Sequence, residues 1–334
     1  MLAVYTGESV SNLTQVASDA NYNGLGTSLL TFPATASTDY RIAVDGYNGA
    51  EGSIVLSISE WNVGSSGYLF MSELQSGTII KFTPGGIQST FASGLNHPVS
   101  LAFNSAGNLF EADYWSGNVF QFTTNGAQST FASLADPFVL AFDSSNNLFV
   151  ASTSTIIKIT PGRVQSLFAS GLNGPSSMAF DRAGNLFVGN FSGTIIKITP
   201  SGVTNTFATG FNPRDGLALA FNSVGNLFVG ELDNNTSYGN ITEITPGGVQ
   251  SAFESGLLFF PQALAFNISG DLFVAGYDTG NIYEITPDGT VSTFASGFGN
   301  GNPVALAFQG ETLPVQPAPT ISIQKGNRSR VGHY

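Results

Sequence analysis

The triplet Leu-Ala-Phe, or a near copy of it, recurs six times along this chain of 334 residues, ending at Phe103, Phe142, Phe180, Phe221, Phe266 and Phe308. A second strand-like run follows each of the first five across a short polar segment: NLFEAD, NLFVAS, NLFVGN, NLFVGE and DLFVAG. The sixth such run, GYLFMSE at 67–73, precedes every copy of the triplet. A repeat of roughly 40 residues is the period of propellers and solenoids, whose units cannot bury an apolar face alone. The displaced sixth run makes the array circular, because its last strand completes the unit that its first strands began.

Each repeat carries four strand signals. Strand A holds the triplet and leads through an Asx-rich segment (NSAGN, DSSNN, DRAGN, NSVGN or NISGD) into strand B. Asn or Asp at the start of that segment and Gly or Asn near its end supply the hydrogen bonds and positive φ of a tight turn. Strand C alternates in period 2, as in GTIIKFT and GNIYEIT, and stops at Pro-Gly or a relative of it, where a donor is lost. Strand D contributes Phe91, Phe131, Phe168, Phe207, Phe253 and Phe294. Three columns of six phenylalanines account for 18 of the 28 in the chain, and their expected place is between neighbouring repeats. Each such ring removes about 150–250 Å² from water. The expected fold is all-β: a six-bladed β-propeller over 61–309, with its first blade built from 67–92 and 303–308, so that no long strand edge is exposed.

The pattern P-x-x-LAF-N-x-x-GNLFVA followed by G-x-I-x-K-x-TP-x-G, spread over about 67–308, resembles NHL-repeat and related six-bladed propellers. That resemblance implies a scaffold used by lyases, lactonases, scaffolding proteins and sensors. In residues 1–60, LAVYTGESVSNLTQVAS and YRIAVDGYNGAEGSIVLSI resemble the later part of the bacterial pre-peptidase C-terminal domain, a small β-sandwich of secreted proteins. Its opening strands are missing, so a partial sandwich is expected. Residues 310–334 read as a Pro-rich linker and the truncated start of a further domain. Modules in series of this kind lead to the expectation of an exported or cell-surface bacterial protein, monomeric within a longer multidomain chain.

The formal charge of −12 argues against a nucleic-acid partner, since three of the ten basic residues (Lys325, Arg328 and Arg330) lie in the last ten positions and leave the body more acidic still. The absence of cysteine removes disulfides, thiol chemistry and Cys-based zinc sites. No apolar run approaches the roughly 20 residues of a membrane-spanning helix.

In an up-and-down blade the D–A and B–C loops share one rim, and strand A lines the axis. Residues before strand A include His97, Asp136, Asp215 and Asn302, a polar ring at the channel mouth. Carboxylates meeting there would suit a hard cation such as Ca2+, although Asp-Pro and Asn-Pro are also ordinary turn starters. The resemblance to gluconolactonase-like propellers implies metal-holding acids four residues before the strand-A phenylalanine. The resemblance to virginiamycin B lyase-like propellers implies a histidine just after the strand-A proline. That shared column reads Val99, Phe138, Ser176, Leu217, Gln262 and Val304, without acid or histidine. His97 precedes its proline, and the other histidine, His333, is in the tail. An enzyme using His97 with Asp136 or Asp215 around a cation is the alternative reading. The column that closes strand B (Glu73, Asp113, Ser152, Asn190, Glu231, Gly276) is expected to tie down loop backbone. Beyond it come the aromatics Tyr114, Trp115, Phe191 and Tyr277, with Tyr238 from the long B–C loop at 232–240 and Phe259 from a D–A loop. Exposed rings on one rim stack sugars or anchor proteins. The leading expectation is a module without cofactor or catalysis that binds a carbohydrate or protein through Tyr114, Trp115, Phe191, Tyr238, Phe259 and Tyr277.

Overall fold

The computed structural model describes residues 67–212, 216–233, 238–299 and 303–310, with the backbone of three strands nearer the N-terminus. Six four-stranded antiparallel sheets follow one another, and the described residues contain no helix. In blade 2, for example, strands A to D are Pro98–Phe103, Leu109–Asp113, Asn118–Phe122 and Gln128–Ser133. Blade 1 takes its strand A from the other end of the propeller. Pro303–Phe308 lies beside Leu69–Glu73, with Pro303 opposite Glu73 and Phe308 opposite Leu69. The six A strands (Pro98–Phe103, Val139–Phe142, Pro175–Phe180, Ala218–Phe221, Pro261–Phe266, Pro303–Phe308) each touch the next, and the last touches the first. The ring of six blades is closed.

Phenylalanine holds the blades to one another. The strand-B ring of each blade meets the strand-D ring of its own blade and the strand-A ring of the next. Phe110 stands edge-on to Phe131 at 4.9 Å and to Phe142 at 4.8 Å. The same triad recurs at every seam, including Phe273 with Phe294 and Phe308, where the end of the array meets its start. Edge-to-face pairs at this spacing add about 0.5–1.5 kcal/mol each beyond the area they bury.

A bulge aims the third member of each triad. Strand D is otherwise the exposed outer strand, yet its pairing with strand C skips the phenylalanine in every blade: Phe91, Phe131, Phe168, Phe207, Phe253 and Phe294 go unpaired. An extra residue in one strand bends it and re-aims the side chain. Without the skip, these rings would follow the strand's alternation.

Tight turns fix the rim opposite the loops of interest. Asp143 Oδ1 accepts the backbone N–H groups of Ser145 at 2.9 Å and Asn147 at 2.8 Å, and Asp181 does the same for Ala183 and Asn185. The fourth turn residue has positive φ, filled by Gly107, Gly184, Gly225 and Gly270 but by Asn146 in blade 3. The N-terminal unit shows a three-stranded sheet in which Leu2–Thr6 lies between Thr14–Asp19 and Tyr40–Val44. The rest of the sandwich expected over 1–60, and residues 311–334, lie outside the described residues.

One core position breaks the repeat. Strand B places Met71, Val150, Val188, Val229 and Val274 in a column that Glu111 occupies in blade 2. Glu111 is fully buried, pairs across the strands with Leu101 and Phe120, and faces the seam between blades 1 and 2. Neither of its carboxyl oxygens has a hydrogen-bond partner, nor does the Oγ of Ser72, which is buried on strand B of blade 1. Burial, and secondarily the charge of Asp113, pushes Glu111 up to about 9, so it is uncharged at neutral pH.

Two predictions follow from the seams. Phe187→Ala, which empties the ring between Phe207 and Phe221, is expected to cost about 3–5 kcal/mol in urea unfolding; Val203→Ala, at an exposed turn, stays within about 0.5 kcal/mol. For Glu111 the folded chain holds its proton to about pH 9 while the unfolded chain releases it near the ordinary 4.5. Stability is therefore fully present below the lower value and declines as pH rises toward the upper, by up to about 1.4 kcal/mol per pH unit. Thermal melts of Glu111→Val from pH 5 to 9 should lose that decline, and melts parallel to wild type would contradict it.

Candidate ligand-binding face

The D–A and B–C loops are tied to each other by backbone hydrogen bonds. The loop entering blade 2 receives Tyr114 N–H at His97 O (3.1 Å) and Trp115 N–H at Asn96 O (3.3 Å), and its Leu95 N–H binds Gly77 O (3.0 Å) in the turn of blade 1. Acids at the ends of strand B complete the tie. Asp113 accepts Asn96 N–H at 2.6 Å and Ser116 N–H at 3.2 Å, and Glu231 accepts Asn212 N–H at 2.7 Å. Burial raises the Glu231 carboxyl above its usual range against the opposing effect of that N–H. Where blade 6 ends strand B at Gly276, Asp278 supplies the carboxylate instead, accepting Phe260 N–H at 2.8 Å. These carboxylates hold loops.

At the axis, four blades carry a second bulge. The A–B pairing skips Val99, Ser176, Gln262 and Val304, members of the column for which the resemblance led to an expectation of acids or a histidine. The collar is mostly apolar. Ser176, its hydroxyl member, is occupied: its one O–H is shared between the backbone oxygens of Gly189 and Leu217, each 3.1 Å from Oγ, and Oγ accepts Leu217 N–H at 2.9 Å.

The proposed polar ring divides. His97 and Asp136 have φ of 64° and 49°, and Gly174 occupies the same loop position in blade 4 with φ 62°. His, Asp and Gly are residue types that tolerate this left-handed backbone, so the turn accounts for them. Asp215 and Asn302 lie outside the described residues. Among the described residues no group of three His, Asp or Glu is placed to hold a metal ion, which leaves the Ca2+ expectation without a described site.

Of the expected aromatic rim, Trp115 is 63 % exposed, and Tyr238, Phe191 and Tyr277 are also open to solvent, while Tyr114 is half-buried. Trp115 lies against the imidazole of His97, ring centres 3.4 Å apart and planes at 24°. Phe259 is a correction. It is only 4 % exposed and stacks flat on Tyr283 at 3.8 Å. Gly276 makes the room, since a Cβ there would come within 2.8 Å of the Tyr283 ring. Its neighbour Leu258, 77 % exposed, points outward instead.

Phe138, which in the sequence stands out only as a column position without acid or histidine, joins this rim. Its ring lies 6.0 Å from Tyr114 and 6.4 Å from Phe191, linking blades 2, 3 and 4. Phe191 in turn needs two glycines, because a Cβ at Gly174 or Gly216 would fall 2.8 or 3.0 Å from its ring. Every Asp, Glu, Lys or Arg described in the loops of this face is acidic. The described basic residues (Lys81, Lys158, Arg163, Arg182, Lys197) sit toward the opposite rim, where Lys158 and Lys197 pair with Asp143 and Asp181 at 3.9 and 3.7 Å.

No family model matches the chain, and no curated protein does. Solved propellers share its fold. The virginiamycin B lyase of Staphylococcus aureus is 16 % identical, with TM-score 0.56, covering 70 % of this chain and 82 % of its own. A gluconolactonase from Xanthomonas campestris is 13 % identical, with TM-score 0.56, covering 76 % and 90 %. A protein of unknown function from Bacteroides caccae is 16 % identical, with TM-score 0.57, covering 74 % and 100 %. At these identities the likeness is one of fold.

The left-handed loop position gives a direct test. Asp136→Gly should leave the melting temperature unchanged or higher, whereas Asp136→Val should cost about 1–2 kcal/mol. Equal losses for both would show that the carboxylate, not the backbone, is what the position requires.

Proposed function

We propose that this propeller is a binding module that holds a ligand on its D–A/B–C face without transforming it, and that it works outside the cell. The observation that carries the reading is Trp115, exposed on one side and covered by His97 on the other. Around it, Tyr114, Phe138, Phe191, Tyr238 and Tyr277 offer further rings on loops braced by backbone hydrogen bonds. A rigid scaffold presenting aromatic side chains on loops is a common arrangement for recognition.

The same geometry supports a non-catalytic role. Glu73, Asp113 and Glu231 are engaged by hydroxyl or backbone N–H groups. The described imidazole stands against an indole, and the collar at the axis offers mainly apolar side chains. Export rests on the resemblance of residues 1–60 to a domain of secreted proteins.

The test is a screen of the full chain against immobilised glycans and peptides, repeated with Trp115→Ala and Tyr277→Ala. Affinity for the ligand found is expected to fall about tenfold or more with Trp115→Ala, at unchanged melting temperature. Undiminished affinity in both variants would remove this face from the reading. A melting temperature that rises with Ca2+ and falls with chelator, together with turnover of a lactone or streptogramin, would replace the reading with the enzymatic one.

A further inference from the structure

We infer that the occupant of this face is an uncharged oligosaccharide, with one sugar ring lying on the open side of Trp115. The inference rests on the binding role proposed above and adds its chemical class. A sugar ring presents a flat face of C–H groups and an edge of hydroxyls. Its complement is a fixed aromatic plane bordered by small polar groups rather than by charge.

Blade 2 has that arrangement. The indole lies against the His97 ring at 3.4 Å, and the backbone of Trp115 is tied to the neighbouring loop by its N–H bond to Asn96 O. His97 reaches this place only through a left-handed backbone, at φ 64°. A conformation costly for most residues thus sets the ring under the indole. Two exposed polar side chains, Asn96 and Ser116, border the indole along the chain.

Charge argues for an uncharged ligand. The described residues in the loops of this face include carboxylates and no Lys or Arg, and the one basic residue that the sequence adds to these loops, Arg214, is followed by Asp215; an acidic balance of this kind disfavours uronates, sulfated sugars and phosphates. Asp113, Glu231 and Asp278 already accept backbone N–H groups, which weakens the case for a cationic peptide. The distribution of rings argues for a chain-like ligand. Trp115, Phe191, Tyr238 and Tyr277 come from blades 2, 4, 5 and 6. Protein partners concentrate their anchors in one central patch, whereas a chain of similar units meets separate rings in succession.

The chain has two tryptophans, Trp61 and Trp115, so Trp61→Phe leaves Trp115 as the sole indole reporter. Full-length Trp61→Phe protein is titrated with cellohexaose, xylohexaose, maltohexaose, a hexagalacturonate and hexalysine while indole emission is followed. Saturable change with at least one neutral hexasaccharide and none with the charged probes is expected. By calorimetry Trp115→Ala should weaken that binding about tenfold or more. His97→Gly and His97→Asn keep the backbone conformation but remove the ring. Each should weaken binding about three- to tenfold and lower the emission anisotropy of Trp115, a change a purely structural role for His97 would not produce. Response to hexalysine alone overturns the sugar assignment, and response to hexagalacturonate alone overturns the uncharged one; either leaves the binding face standing. Sugar binding that survives Trp115→Ala overturns the placement. If no probe, nor any glycan or peptide from the wider screen, perturbs Trp115, the assignment and the binding role fall together.

Discussion

The edge-to-face contact of one phenylalanine with two others, repeated at six seams, is the interaction on which this molecule depends. A four-stranded sheet has no means of burying the ring at the centre of its strand B. The next blade supplies the strand-A ring that covers it, and the blade's own outer strand supplies the third. Because each seam needs its neighbour, the blades are stable as a ring and not as separate units. Close-packed apolar seams also explain why Glu111 stands out, since the side chains around it offer its carboxyl no hydrogen-bond partner.

Two kinds of bulge divide the labour of the blade. The outer one turns a phenylalanine inward and finishes the seam. The inner one, at the start of strand A, interrupts the ladder beside the axis and sets the character of the collar there. In this chain that collar is filled mostly with Val, Phe, Leu and Gln. The polar chemistry has moved outward to the loops, where carboxylates bind backbone and aromatic rings remain open. The same loops thus combine exposed rings with the carboxylate and backbone hydrogen bonds that brace them.

Much of this was legible beforehand because repetition averages away local ambiguity. Six copies of Leu-Ala-Phe and Asn-Leu-Phe establish strands A and B, and the orphaned copy at 67–73 gives the closure. The bulges were not legible, since a skipped residue changes pairing and not composition. Phe259 and Leu258 are adjacent apolar letters, and only the space left by Gly276 decides which turns inward. Glu111 differs by one letter from valine in its column, and its meaning depends on a register seen only in three dimensions. The position of His97 was read for its imidazole, but its backbone angle and its contact with Trp115 say more.

Closure by the last inner strand also orders events in time. Until Pro303–Phe308 is in place, Leu69–Glu73 keeps an unpaired edge and the seam between the sixth and first blades lacks Phe308. The partners in that sheet are more than two hundred residues apart in sequence, so assembly depends on a late, long-range encounter. A chain emerging from the ribosome carries an open sheet edge from the synthesis of Leu69–Glu73 until Pro303–Phe308 has been made, and it is exposed to wrong pairing with its neighbours until that encounter occurs.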